Sequence, residues 1–223
     1  MEGMLASWLV ALGTVVIAAV AVFQETIRGW FYRPKFAVTV RCAPPDCVSV
    51  ALTRRETGQF LANSVYLRLL VRNDGNATAR NVEVYAERLQ RRRADGTLEP
   101  LNSFPPMNLK WANLGQIYFP SIAPKMGKHC DIGHITEPAQ RPAVNEENPA
   151  LTLSNQQCSL TFDLMVAPNH RGHIIGPGEY FLEILVAAEN AKPVPKTVRL
   201  NLPGPWYPDE TRMLRDGVGV EVL

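Results

Sequence analysis

His129 and Cys130, followed by a second histidine at position 134, come nearest to chemistry among the 223 residues of this chain. Asp131 stands beside them, and Cys42, Cys47 and Cys158 are the remaining cysteines. Zinc takes about four nitrogen or sulfur ligands in a tetrahedron, commonly supplied as close pairs with two to four residues between them. Cys42-Ala-Pro-Pro-Asp-Cys47 spaces its sulfurs at the outer limit of that pattern, and its two prolines suit a tight knuckle. A metal set would therefore draw on Cys42, Cys47, His129, Cys130 and His134. The simpler expectation is no metal and no cofactor, with Cys130 and Cys158 acting as small apolar residues of a core. On an exported domain, Cys42 and Cys47 would instead close a short disulfide loop.

Other clusters point to solvated surface. Asn169-His-Arg-Gly-His173 gathers two histidines and an arginine, which suits an anion or a partner's carboxylate but equally an exposed loop. Arg88-Leu-Gln-Arg-Arg-Arg93 is the densest run of charge. It would meet lipid or nucleic-acid phosphate, or end a strand as a charged edge that deters sheet-to-sheet pairing. Glu83, Glu87 and Glu99 nearby favour the edge. Trp111 and Phe104-Pro-Pro106 would line a peptide groove or, more simply, plug one end of a core. No G-x-S-x-G, P-loop, G-x-G-x-x-G or H-E-x-x-H occurs. A net charge of +2 with mixed signs gives no clustered basic face, so nucleic acid is not an expected partner.

The elements that position these residues begin with an anchor. Met4 to Phe23 is an uncharged apolar run, long enough as a helix to span roughly 30 Å of hydrocarbon. Residues 4–23 are thus expected to cross a lipid bilayer once, within a membrane and juxtamembrane segment over 1–35. Arg28, Trp30, Phe31, Tyr32, Arg33 and Lys35 would lie at the membrane interface, where aromatic rings and basic side chains are favoured. Ala19-Val20-Ala21 has the small-x-small form of a signal-peptidase site, but no basic residue precedes the run and it exceeds a usual signal h-region. Basic residues follow the span and none precedes it, which predicts an inner (plasma) membrane protein with a cytoplasmic C-terminal domain.

Beyond Lys35 the apolar period is two. Val65, Leu67, Leu69 and Val71 alternate with Tyr66, Arg68 and Arg72, and Val82, Val84 and Ala86 with Glu83, Tyr85 and Glu87. The same pattern recurs at Leu160–Val166, Tyr180–Val186 and Val198–Leu202, with turn residues such as Asn73-Asp-Gly-Asn76 between strands. Strands with one apolar face predict a mainly β fold: an immunoglobulin-like antiparallel β-sandwich over 36–202 with an insertion at about 91–150. Residues 203–223, ending in Val218, Val220 and Val222, are expected to form a tail or an edge strand.

The segments YLRLLVRNDGNATARNVEVYA and GPGEYFLEILVAAENA resemble strand–turn–strand units of bacterial immunoglobulin-like modules, including the cell-adhesion-related domains found in bacteria. The resemblance implies a sandwich fold and carries over no catalytic residues. Together these features predict a membrane-anchored module for non-catalytic protein–protein interaction or assembly, with an unidentified protein partner. The alternatives are a metal-dependent or enzymatic domain built on the His129–His134 region, and an exported envelope or adhesion protein.

Overall fold

The computed structural model describes residues 2–223. The side chains of residues 2, 4–6 and 25–31, and so those of Arg28, Trp30 and Phe31, lie outside that description. The first element, α1, covers Glu2–Phe31. Its apolar stretch Ser7–Gln24 is not buried against the rest of the chain at any point, and it is long enough to cross a membrane or to serve as a signal sequence. Helical backbone satisfies its polar groups internally, as an apolar surrounding requires. The hydroxyls of Ser7 and Thr14 do likewise, donating to the carbonyls of Gly3 and Val10 at 2.9 Å. The helix stops short of Pro34, whose ring disfavours helical backbone in the residue before it.

The described strands form two antiparallel sheets. Along the chain come β1 (Phe36–Thr39), β2 (Cys47–Thr53), β3 (Phe60–Asn73) and β4 (Ala79–Arg92). Short strands β5 (Leu98–Pro100), β6 (Met107–Asn108) and β7 (Tyr118–Ile122) follow, then β8 (Gly127–Thr136), β9 (Leu160–Phe162) and β10 (Ile174–Ile175). The series closes with β11 (Gly178–Ala188), β12 (Ala191–Leu202) and β13 (Gly219–Val222). In the first sheet β1 and β2 pair with one edge of β3, and β8, β9 and β10 continue from the other. In the second the order is β13-β12-β11-β4, with β5, β6 and β7 sharing the outer edge of β4.

The two sheets bury one core. Val65, Leu67, Leu69 and Val71 of β3 face Val82, Val84 and Ala86 of β4, Leu182, Ile184 and Val186 of β11, and Val198 and Leu200 of β12 within a single apolar cluster. Trp111 is fully buried in it, stacked edge-on to Phe119 at 5.4 Å, and its indole N–H donates to the Val82 carbonyl at 3.1 Å. A large ring whose polar atom finds a backbone acceptor can sit in an apolar interior. Trp111 and Phe104 are therefore core residues rather than the walls of an open groove. Residues 107–111 also tie the sheets together: Leu109 N–H donates to Val84 O of β4, and Lys110 carries hydrogen bonds to and from Asp163 and Asp131.

The stretch 91–150, read from sequence as an insertion, contains β8, which lies between β3 and β9 in the first sheet. Its period is broken by a bulge: Leu67 pairs with Gly133 but Arg68 with Asp131, leaving Ile132 as the extra residue. Cys130, Ile132 and Ile135 are all buried in the core, a spacing that shifts phase at the bulge. Gly133 is needed there, because a Cβ would press into the Thr161 carbonyl of β9. In the tail, Asp209 caps a short helix α2 (Glu210–Arg212), a π-helical turn spans Met213–Gly217, and β13 pairs with β12.

Candidate functional site

The chemistry-bearing residues gather on the face of β3 and β8 that points away from the shared core. Strand alternation puts Ser64, Tyr66 and Arg68 on that face, and the register sets them opposite Thr136, His134 and Asp131. Each rung is a polar pair. Ser64 and Thr136 meet hydroxyl to hydroxyl at 2.8 Å, and the Tyr66 and His134 rings stack with centroids 4.8 Å apart. Arg68 Nε donates to Asp131 Oδ1 at 2.9 Å, and its guanidinium also lies over the Tyr66 ring. The bulge makes this possible, since without the extra residue Asp131 and His134 would occupy opposite faces.

Two carboxylates from outside the strand pair close the site. Asp163 follows β9 and accepts from His134 Nδ1 at 3.1 Å. Glu146, beyond a 3-10 helix over Pro138–Val144, accepts from His134 Nε2 at 2.7 Å with one oxygen and from the Thr136 hydroxyl at 2.6 Å with the other. Thr136 has thus committed its proton to Glu146, so Ser64 is the donor in the hydroxyl pair.

Electrostatics follow from this geometry. Burial opposes charge on His134, but the hydrogen bonds and charges of Asp163 and Glu146 outweigh it and raise its pKa to about 10. A carboxylate oxygen within hydrogen-bond distance of each ring nitrogen is the arrangement that favours the protonated ring. Burial and the nearby Asp163 raise Asp131 to about 6, against the pull of Arg68. Burial, with the Asp163, Asp131 and Glu146 charges, raises the Tyr66 phenol as well. His173 is buried beside this group, with Nδ1 unpartnered among the described residues; burial and the Arg171 charge lower its pKa.

Both ring nitrogens of His134 are engaged by carboxylates. The hydroxyls of Ser64 and Thr136 are 1% exposed and already engaged, so neither is presented to a substrate.

The five residues considered as metal ligands separate into different environments. Cys130 is buried in the core and His134 is held by its carboxylates on the opposite face. Cys42, Cys47 and His129 do lie around Asp46. The Asp46 carboxylate, 1% exposed, accepts from Arg41 N and pairs with His129 Nε2 at 3.0 Å. The Cys47 thiol hydrogen-bonds the Cys42 sulfur, which lowers Cys42 and raises Cys47, while Cys42 Sγ donates to Leu214 O at 3.1 Å. Both are free thiols. Among the described residues no three His, Cys, Asp or Glu side chains are placed to hold a metal ion.

The remaining clusters resolve into local pairs. Arg88, Arg92 and Arg93 bond Glu183, Glu179 and Glu99, and Arg91 lies over the Tyr180 ring. Arg171 is bonded to Asn145 and His173 is buried, so the 169–173 loop does not present its cations together. At the interface positions, Tyr32, Arg33 and Lys35 are exposed.

Sequence reasoning reached His134 and missed Tyr66, Arg68, Glu146 and Asp163. The available signal was Asp163 on the polar phase of the alternating segment Leu160–Leu164, and Tyr-x-Arg on the polar phase of Val65–Val71. No family model, curated protein or solved structure matches the chain.

Proposed function

We propose that this chain is a single-pass membrane protein whose β domain is an immunoglobulin-like module, non-catalytic and facing the cytoplasm, that binds or assembles with a protein partner. The observation that carries the anchor is the apolar stretch Ser7–Gln24, none of which is covered by the domain it precedes. Leaving so much apolar surface in water is costly, at roughly 25 cal/mol per Å2, and a bilayer removes that cost.

The immunoglobulin-like reading is supported by strand order. Taking β1, β3, β4, β8, β11 and β12 as the six principal strands, the first sheet holds A, B and E and the second C, F and G. Tyr180, at the start of β11, donates its hydroxyl to the Gly176 carbonyl at 2.9 Å, in the manner of the tyrosine corner of that fold. One departure is that β9, beside β8, follows it in the chain, where the D strand of an immunoglobulin domain precedes E. The non-catalytic reading rests on the closed hydrogen bonding around His134. Partner binding through loops or sheet edges is the use such a module has once chemistry is set aside.

Fusions to the C-terminus in bacteria test the anchor and its orientation. A fluorescent-protein fusion is expected to glow in the membrane fraction, and an alkaline-phosphatase fusion to stay inactive. The reverse pattern would sink the cytoplasmic assignment, and an intact mass lacking the first residues would replace the anchor with a cleaved signal.

A further inference from the structure

The chain leaving α1 is clamped to one end of the β domain. Arg33 N–H donates to the Asn76 side chain at 3.0 Å, and Lys35 N–H to Asn73 Oδ1 at 3.2 Å. Asp74 N–H returns a bond to Lys35 O at 2.7 Å. Asn73 is fully buried and also donates to the carbonyls of Ala77 and Ile122. Gly75 packs so closely that a Cβ would press into Arg33 O and Lys35 N. The turns at 73–76, 123–126 and 189–191 therefore share the end of the domain at which the chain emerges from α1.

Two clefts flank this clamp. One, of about 470 Å3, is lined by Arg33, Lys35 and Lys125 with Asp74. The other, of about 710 Å3, is lined by Arg33, Lys35 and Lys192 with Glu189. Their carboxylates are engaged elsewhere, Asp74 by Arg72 at 2.7 Å and Glu189 by the Asn81 side chain. Arg33, Lys35, Lys125 and Lys192 are exposed and have no carboxylate partner among the described residues. Met126, beside Lys125, is 52% exposed. From Gln24 the helix rises roughly 10 Å to Phe31, about the depth of one headgroup layer, so the clefts open at the membrane surface.

We propose that these two clefts form a binding site for the headgroups of anionic phospholipid, which holds the domain against the bilayer that α1 crosses. The site rests on the reading of α1 as a membrane span. Each phosphate would meet at least two cations, and Met126 would enter the interfacial layer, as an apolar side chain among basic ones does in membrane-surface segments.

The test uses the full chain in nanodiscs of phosphatidylcholine alone or of an equimolar mixture with phosphatidylglycerol, labelled with an amine-acylating reagent and read by mass spectrometry. Lys125 and Lys192 are expected to react about fivefold more slowly in the anionic discs. Lys196, roughly 13 Å farther along β12 than Lys192 by strand rise, is the internal control and is expected to react equally in both. Raised salt should restore reactivity. In K125Q/K192Q, which changes two exposed residues, the anionic discs should protect Lys35 less. Equal reactivity of Lys125 and Lys192 in both discs, with the chain inserted, overturns the lipid site and leaves the anchor standing. Equal protection by inorganic phosphate in phosphatidylcholine discs overturns lipid as the ligand. A chain that elutes apart from the discs overturns the span itself, and the site with it.

Discussion

The two faces of the β3–β8 pair are made of the same strands and hold together by opposite means. On the core face Val65, Leu67 and Leu69 meet Cys130, Ile132 and Ile135, all at most 1% exposed. Burial there is non-directional, so each residue contributes according to the area it covers. On the other face Ser64, Tyr66 and Arg68 meet Thr136, His134 and Asp131 through aimed contacts closed by Glu146 and Asp163. Such a network stabilises only when complete, since a lone buried charge costs more than its pair contributes. The core face should therefore degrade by degrees, and the polar face by whole units.

Removing the shared ion of the polar face should have the largest effect. His134→Ala leaves Glu146 and Asp163 facing each other without a cation and is expected to cost about 3–5 kcal/mol in denaturant unfolding of the detergent-solubilised chain. A loss under 1 kcal/mol would mean that the two carboxylates relax into water and the network is not a unit. Leu67→Ala should follow, at about 2–5 kcal/mol according to how far its cavity collapses.

The Arg68–Asp131 rung sharpens the contrast. Asp131→Asn alone is expected to cost about 1–3 kcal/mol by leaving Arg68 underused, whereas the double change Arg68→Met with Asp131→Leu should be close to neutral. A double variant much weaker than the single one would assign the rung a net stabilising role of its own.

Acidity separates the faces without mutation. The folded pKa of His134, about 10, stands above the 6.5 of an unperturbed histidine, so its contribution is complete below pH 6.5 and drains as pH rises towards 10. Asp131, raised from 3.8 to about 6, acts in the same sense over the lower range. The melting temperature of the native chain is thus expected to converge on that of His134→Gln as pH climbs from 6.5 to 10. Parallel curves would show that His134 is neutral in the fold. Among the single substitutions the smallest effect belongs to Ser64→Ala, at about 0.5–1.5 kcal/mol, because Ser64 gives a single hydrogen bond to Thr136.

Much of the β architecture was legible where burial leaves a regular trace. In β3, β4, β11 and β12 the apolar phase in the sequence is the buried phase in the structure, since a strand facing one core must alternate. β8 was not legible, because Ile132 and Gly133 shift its phase and its outward residues are histidine, aspartate and threonine rather than solvent-seeking lysine or glutamate. The histidine at 134 drew attention as a possible ligand. Its real partners lie 12 and 29 residues away, at separations that no local pattern encodes.

By itself the sequence determined the uncharged run at the N-terminus, the strand alternation and the turns, because these depend on the local chemistry of each residue and its neighbours. Tertiary structure decided which charges meet. It aimed Asp163 and Glu146 at His134, set Cys130 in the core away from the histidines, and drew Lys125 and Lys192 beside Arg33 and Lys35. Electrostatic partnership depends on distance in space, and a folded sheet brings together side chains that lie far apart along the chain.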